Sequence, residues 1–437
     1  MIRKSPRLNP FMFKIPHLRW WIIAMIFFAS VLNYLDRQTL SILAPTIMKD
    51  LNLSNEDYAS VLNWFLVAYT IAYLFSGRIV DKFGVRASLA LFVGWWSIAN
   101  ILTAFARSFT SLGIFRFLLG LGEAGNYTGA PKAVSEWFPP RERGIAIGIY
   151  TLGGTIGATI APVIIVGLAS WHSWQAAFVF TGAAGLLWLI PWIWLYRRVG
   201  VHPHVTDRER NLIQAGITEE NASGAVDQSW GRWWHLLGRK EFWCLTIGRM
   251  LTDPVWYFFQ FWFAKYLYDV RKLDQMALSV TWVIFLAADI GALAGGWFSG
   301  RLIRRGVLPA NSRLWIMFGC AIVVPMAALI PQIDGLWFVL VLGMAAVLAH
   351  MAWLINLSAL VVDVVPRASL GMTFGIVAAG SSLGGILMNK AVGMIVTTHS
   401  YNPAFYLMVL LHPLAWLLLW QIRRRKAVDS RPTSLSS

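Results

Sequence analysis

The chain has 437 residues, of which 57% are hydrophobic and 13% charged, with a mean hydropathy of +0.58. A soluble domain carries about a quarter charged residues, so there are too few here to coat a soluble globule. The net charge of +16 is split into short clusters between apolar blocks: Arg78, Lys82 and Arg86; Arg141 and Arg143; Arg301, Arg304 and Arg305; Arg423 to Lys426. Cytoplasmic loops of membrane proteins carry charge in this way, which excludes a nucleic-acid surface. The blocks run to roughly 20 residues, enough for a helix to cross about 30 Å of hydrocarbon. They lack the alternation of an outer-membrane barrel. The fold class is an all-α polytopic membrane protein embedded in a lipid bilayer.

In chain order, the basic N-terminus leads into an apolar segment too long for a signal peptide and followed by no small-residue cleavage site. It is an uncleaved first span with its N-terminus inside. Spans are expected over 20–43, 58–80, 85–106, 109–135, 141–170 and 174–197, then over 241–268, 276–302, 311–330, 335–364, 367–396 and 401–424. The basic clusters then all fall on the cytoplasmic side, whereas the loop with Lys49, Asp50, Glu56 and Asp57 is mixed. Twelve spans return the C-terminus to the cytoplasm, as expected for a bacterial inner-membrane protein. Residues 198–240 are the long polar stretch, with Asp207, Arg208, Glu209, Arg210, Glu219 and Glu220. The expected organisation is a six-helix half over 1–197, a cytoplasmic linker over 198–240, a second six-helix half over 241–426 and a disordered tail over 427–437.

The halves echo each other. Gly77-Arg78-Ile79-Val80-Asp81-Lys82-Phe83-Gly84 follows the second span, and Gly300-Arg301-Leu302-Ile303-Arg304-Arg305-Gly306 follows the eighth, 223 residues later. Secondary transporters are commonly built from such repeats, with substrate held near midplane between the halves. Gly77, Asp81, Gly84 and Arg86 match the signature loop of the major facilitator superfamily, which the chain resembles over nearly its whole length. The resemblance implies that fold, and a loop that latches the halves together when the transporter faces outward. The second copy has Arg304 near the place of the aspartate. Asn33-Tyr34-Leu35-Asp36-Arg37, the stretch from Arg116 to Ala124, Glu136-Trp137-Phe138-Pro139 and Arg143-Gly144 are similar to the anion:cation symporter family, which carries organic anions. Leu251 to Trp256 is similar to its hexuronate transporter branch.

Ionisable residues inside spans are costly and mark function. Asp36 and Arg37 lie deep in the first span. Arg116 and Glu123 lie seven residues apart in the fourth, on one face and about 10 Å apart. If these four only neutralised one another they would be an expensive way to hold a bundle, because desolvation offsets much of the attraction in a buried pair. Protonating one carboxylate leaves the set positive, and a substrate carboxylate can then neutralise it. Proton and anion thus favour each other's binding, which symport requires. The resemblance implies that Arg37 holds the substrate carboxylate, that Asp36 and Glu123 carry protons, and that Arg116 is the switchable partner of a carboxylate. Tyr34 and Tyr69 supply hydroxyls.

At the same offset the second half has Phe259, Gln260 and Ala346 in place of the charges. It offers instead Trp256, Tyr257 and Gln260, then His350, Trp353 and Asn356, then Gly384, Gly385 and Asn389. Aromatic faces and amides suit a polyhydroxylated ligand, with Trp256, Gln260, Trp353, Asn356 and Asn389 as candidate contacts. Each aromatic alone also fits lipid-facing packing, since the chain has 24 tryptophans. Asp253 and Asp289 fit structural roles, pairing with Arg249 or capping a break at Pro254. His350 fits a hydrogen-bonded bundle histidine or a third titrating group. Lys132 and Glu136 fit gating or interfacial roles. The glycines Gly153, Gly154, Gly157, Gly384 and Gly385 allow close helix approach.

Cys244 and Cys320 match no metal or redox spacing, and no phosphate-binding, haem or nucleophile-elbow pattern occurs. No cofactor, metal, nucleic acid or enzymatic activity is expected. The reading is a monomeric proton-coupled importer of a sugar acid, a hexuronate such as galacturonate or glucuronate, working by alternating access. A transporter of another organic or aromatic carboxylate, or a transporter-like sensor, is the alternative.

Overall fold

The computed structural model describes residues 14–222, 238–365 and 370–429. Residues 1–13, 223–237, 366–369 and 430–437 lie outside the described residues, and with them most of the basic N-terminus, part of the polar stretch and the last eight residues of the tail. So do the side chains of Arg141, Glu219, Glu220, Arg423, Arg424, Arg425 and Lys426. The described residues form no strand beyond one isolated bridge, Ile15 to Val205.

The helices are α1 (Leu18–Ile42), α2 (Ala44–Asp50), α3 (Asn55–Thr103), α4 (Phe109–Trp137), α5 (Pro140–Trp171), α6 (Trp174–Leu195), α7 (Asp207–Ala222), α8 (Lys240–Phe261), α9 (Phe263–Asp269), α10 (Trp282–Arg304), α11 (Pro309–Val323), α12 (Leu336–Val364), α13 (Leu370–Thr398) and α14 (Asn402–Asp429). Short 3-10 segments extend α10 backward from Ala277 and α11 forward to Gln332. Nine described helices are long and apolar enough to cross a membrane. One of them, α3, has 49 residues, about 70 Å at helical rise, and so makes two passes. Its arms meet at Gly84, where φ is 77°, a left-handed conformation glycine adopts without a Cβ clash. The remaining passes are α4 and α8, whose hydropathy is lowered by the charges they carry, Arg116 and Glu123 on one, Arg249 and Asp253 on the other. Twelve crossings result among the described residues, six in each half. The expected spans agree to within a few residues. The exceptions are the loop between spans two and three, which shrinks to the turn at Gly84, and span seven, which breaks at Trp262.

The two halves pack by the same device. Gly153 lies against the carbonyl of Phe27, and Gly154 leaves room for the Tyr34 ring, where a Cβ would stand 2.7 Å from Cε2. In the second half Gly384 meets the carbonyl of Met250, and at Gly385 a Cβ would stand 2.6 Å from the Tyr257 ring. Met250 and Tyr257 follow Phe27 and Tyr34 by the same 223 residues that separate the repeated loops. The α1–α5 pair is therefore repeated as α8–α13.

The halves meet along two seams. Tyr58 Oη donates to the Phe261 carbonyl at 2.7 Å, Thr46 Oγ1 to Gln275 at 2.7 Å, and Gln275 Nε2 to the Ile42 carbonyl at 3.0 Å. Asn389 Nδ2 donates to Asn63 Oδ1 at 3.2 Å, and Asn63 Nδ2 to the Ile386 carbonyl at 3.1 Å. These links gather at the end carrying residues 42–63 and 261–275. At mid-span Thr159 of α5 donates to Asp289 of α10 at 3.0 Å.

In the polar stretch, α7 docks on the start of α1. Glu209 is buried. It accepts from the backbone N–H groups of Leu18 and Arg19 at 3.0 and 3.1 Å, and from Arg19 Nη1 at 2.8 Å. No side chain of its own caps α1, which begins after a left-handed His17. A carboxylate at a helix N-terminus satisfies orphan donors and opposes the positive end of the helix dipole. Nearby, His202 Nε2 contacts the Leu195 carbonyl at 2.8 Å, and burial lowers the imidazole below the ordinary histidine pKa. Helix α14 continues to Asp429, three residues into the segment expected as tail.

Candidate functional site

Consecutive residues of a helix point about 100° apart, so Asp36 and Arg37 leave α1 in different directions. Arg37 turns toward α4, where its Nε and Nη2 donate to Glu123 Oε2 at 2.9 and 2.7 Å. Its guanidinium carbon lies 5.0 Å from the ring centre of Tyr34, 4.9 Å from Tyr69 and 5.3 Å from Phe65, a cage of aromatic faces that suits a planar cation. Asn33, one turn earlier, accepts from Arg37 and donates to the Glu123 carbonyl, both at 3.4 Å. Glu123 is fully buried, and its Oε1 has no hydrogen-bond partner among the described residues. Helix α4 comes this close to its neighbours because it presents glycine. At Gly120 a Cβ would stand 3.1 Å from the Ala68 Cβ, and at Gly122 2.8 Å from the Trp96 Cβ.

Asp36 turns the other way. Its Oδ1 accepts from Asn100 Nδ2 of α3 at 2.6 Å, and the same amide reaches Thr181 Oγ1 of α6 at 2.7 Å. Asp36 Oδ2 has no hydrogen-bond partner among the described residues.

Arg116, expected to pair with a carboxylate, makes no ion pair among the described residues. It is fully buried, with Nη2 3.4 Å from the Arg37 carbonyl and the guanidinium 5.2 Å from the Phe65 ring. The two turns between Arg116 and Glu123 put them on one face, but about 10 Å apart along the axis. Arg37 enters from α1 at the level of Glu123 and takes the pair.

From the second half, α8 faces this cage. Tyr257 lies near Arg37 across the gap, and Tyr73 of α3 near Arg249 of α8. Tyr73 also packs on Tyr69, ring centres 5.1 Å apart. Trp256 is half-buried on α8, with its ring parallel to that of His350 at 6.5 Å. Gln260 is buried, and its Nε2 has no hydrogen-bond partner among the described residues.

Three other candidate contacts sit elsewhere. Asn356 Nδ2 donates to the carbonyls of Gly295 and Ala352 at 3.0 and 2.8 Å, stapling α12 to α10. Trp353 is fully buried, 5.0 Å from the ring of His412. Asn389 joins Asn63 and accepts from Trp262 Nε1 at 3.0 Å, so it belongs to the seam between the halves. Polar amides seldom face lipid, but that rule does not separate a ligand contact from a helix staple.

The signature loop makes its bonds inside the first half. Asp81 accepts from Lys132 of α4 at 3.0 Å, and the Arg86 guanidinium donates to the Ile193 carbonyl at the end of α6. Gly77 has open space where a side chain would stand, and Gly84 makes the turn. Asp253 pairs with Arg249 at 2.7 Å, one of the structural roles expected for it, whereas Asp289 reaches across to Thr159. Sequence reasoning missed Tyr73, Asn100 and His412. The i, i+4 repeat of Tyr69 and Tyr73 was a signal for the first. The other two lie singly in apolar runs, where a polar side chain within a span was itself the signal.

A bundle of two six-span halves, joined by their own repeat and enclosing a buried charged cage at the centre, defines a membrane transporter. The chain belongs to the major facilitator superfamily, whose family model matches residues 26–358. It is 30% identical to the hexuronate transporter of Escherichia coli (strain K12), covering 94% of this chain and 96% of that protein. It is 31% identical to the galacturonate transporter of Dickeya chrysanthemi, covering 65% and 83%. Among solved structures it is similar to a bacterial homologue of the human lysosomal transporter Spinster, with a TM-score of 0.77 at 18% identity, covering 96% of this chain and all of that one. It is also similar to the xylose transporter XylE from E. coli, with a TM-score of 0.68 at 13% identity, covering 92% and 97%. The protein is a transporter and not an enzyme.

Proposed function

We propose that this transporter imports a sugar-acid anion, a hexuronate such as galacturonate or glucuronate, together with protons across a bacterial inner membrane. The observation that carries the reading is the Arg37–Glu123 pair inside a cage of tyrosines. A buried arginine held by one carboxylate can exchange it for another. Its planar fork meets a carboxylate bidentately and stays charged. When the substrate carboxylate takes Arg37, the fully buried Glu123 loses its partner, and binding a proton removes the charge that would otherwise stay buried. Asp36, held only by the neutral Asn100 amide and Thr181 hydroxyl, is the second group able to shed its charge this way. The tyrosine hydroxyls of both halves suit the hydroxyl-bearing carbons. The names carried by the two curated relatives support the substrate class.

With both termini cytoplasmic, the end where the seams gather is periplasmic and the arrangement faces inward. Rocking of the halves about the centre then gives alternating access, with Asp81 and Lys132 near the cytoplasmic end of the moving surfaces. The test is competition for radiolabelled galacturonate uptake in cells expressing the protein. Glucuronate should compete strongly, whereas glucose, galactose and acetate should not, and an uncoupler should abolish accumulation. Equal competition by glucose and glucuronate would remove the sugar-acid reading. Competition by aromatic acids alone would move the substrate class to other carboxylates.

A further inference from the structure

The second half contains a row of ionisable groups that the central cage does not use. Arg249 and Asp253 are one turn apart on α8, and Arg249 Nε donates to Asp253 Oδ2 at 2.7 Å. Behind Asp253, His350 of α12 sets its Nε2 4.0 Å from Asp253 Oδ1. The other ring nitrogen of His350, Nδ1, lies 3.2 Å from Nε2 of His412 on α14. All three acid–base groups are buried, the two histidines completely. The charged and titratable groups facing the row are Arg249 and Tyr257 of α8, beside Asp253, and Tyr73 of α3, which lies near Arg249 from the first half. Trp256 lies parallel to His350, and Trp353 meets His412 edge-on.

Two neutral histidines could simply fill the bundle. Packing histidines, however, are expected to have their nitrogens satisfied, because leaving a buried donor or acceptor unpaired is costly. Here Asp253 Oδ1, His350 Nε2 and His412 Nδ1 all have no hydrogen-bond partner among the described residues. The open positions are at the Asp253–His350 gap and at the far end of the row, where a row that gains and loses a proton needs them.

The row has two hydrogen-bond polarities. In one, His350 carries its proton on Nε2, pointing at the Asp253 carboxylate, and its Nδ1 accepts from His412 Nε2–H. In the other, Asp253 carries a proton that points at His350 Nε2, His350 Nδ1–H donates to His412 Nε2, and His412 carries its proton on Nδ1. The second arrangement holds one proton more than the first, and neither contains an imidazolium. Closing the 4.0 Å gap by about 1 Å completes the row.

We propose that Asp253, His350 and His412 form a second proton-binding site, gated by Arg249, in the half that has no counterpart of Asp36 and Glu123. It rests on the proton-coupled reading above. While Arg249 holds Asp253, the carboxylate stays ionised and the row keeps its first polarity. When an anionic or hydroxyl group of the substrate draws Arg249 toward the centre, Asp253 takes up the extra proton and every hydrogen bond of the row reverses. The two halves then each pair one arginine with one carboxylate, Arg37 with Glu123 and Arg249 with Asp253. Each arginine can release its carboxylate to a proton.

The test uses the full chain purified in detergent, in weak buffer with a pH indicator, to which galacturonate is added. The wild type should take up protons on binding, and Asp253→Asn and His412→Phe, whose ring neither donates nor accepts, should each take up one fewer per galacturonate bound. In vesicles under an imposed gradient of one pH unit, losing one coupled proton should lower steady-state accumulation about tenfold. An unchanged proton count with unchanged accumulation in both variants overturns the proposal. If Asp253→Asn does not fold, His412→Phe decides alone, since it lies at the far end of the row from the centre. No proton uptake by the wild type would instead overturn the coupling itself, which is a separate result.

Discussion

Arg37 is held by two hydrogen bonds to one oxygen of Glu123 and by aromatic rings on three sides, so its role depends on shape as much as on charge. Arg37→Lys keeps the charge but replaces the planar fork with a compact ammonium. Its kcat/KM for galacturonate should fall at least about tenfold, the cost of one lost charge-assisted hydrogen bond. Near-normal uptake at low substrate concentration would take Arg37 out of the clamp. Glu123→Gln separates two functions of the same site, because the amide imitates a carboxyl group that never loses its proton. Uphill accumulation under a pH gradient should disappear, while exchange of internal for external galacturonate persists. A variant that still concentrates substrate would show that Glu123 is not a required proton carrier. Sequence spacing put Arg116 and Glu123 on one face and left the choice of partner open. The choice was settled by the level at which α1 crosses α4, a tertiary quantity with no local signal.

Among the elements, what was legible followed period and charge. Twelve apolar blocks, the basic clusters between them and the 223-residue repeat led to two six-helix halves. The glycine pairs were singled out for close approach, and the structure sets them against a carbonyl and a tyrosine ring in each half. Harder to read were the polar residues that hold helices together. Asn356 and Asn389 look the same in sequence as ligand-binding amides, and only their partners, Gly295 and Asn63, distinguish a staple from a site. The polar stretch after α6 gave no sign that Glu209 would cap α1 from 191 residues away. Replacing Glu209 with Ala removes acceptors for two backbone donors and leaves Arg19 only Glu142, 2.9 Å away. That should cost about 2 kcal/mol, read as a lowered Tm of the detergent-purified protein with little change in substrate specificity. An unchanged Tm would mean that water replaces the carboxylate at the helix end.

For the whole molecule, the seam at residues 42–63 and 261–275 is where the halves must part if the centre is to open to that side. A Cβ added at Gly393 would stand 2.6 Å from the Ala59 Cβ, closer than the roughly 3.8 Å of a disulfide, so a small separation of α3 and α13 accommodates the bond. With Ala59→Cys and Gly393→Cys combined, oxidation should stop transport and reduction should restore it, as native Cys244 and Cys320 are both buried. Transport that continues with the bond formed would mean that this seam need not open. The Glu209 contact has a consequence of another kind, in the order of synthesis. Helix α1 cannot receive its cap until 191 more residues have been made, roughly 10–40 s later at ordinary elongation rates. Through that interval its leading amides depend on water or lipid headgroups. The first half therefore reaches its final form only after its sixth span is already in the membrane, so a chain cut at residue 197 would stay at that unfinished stage and one cut after residue 222 would pass it.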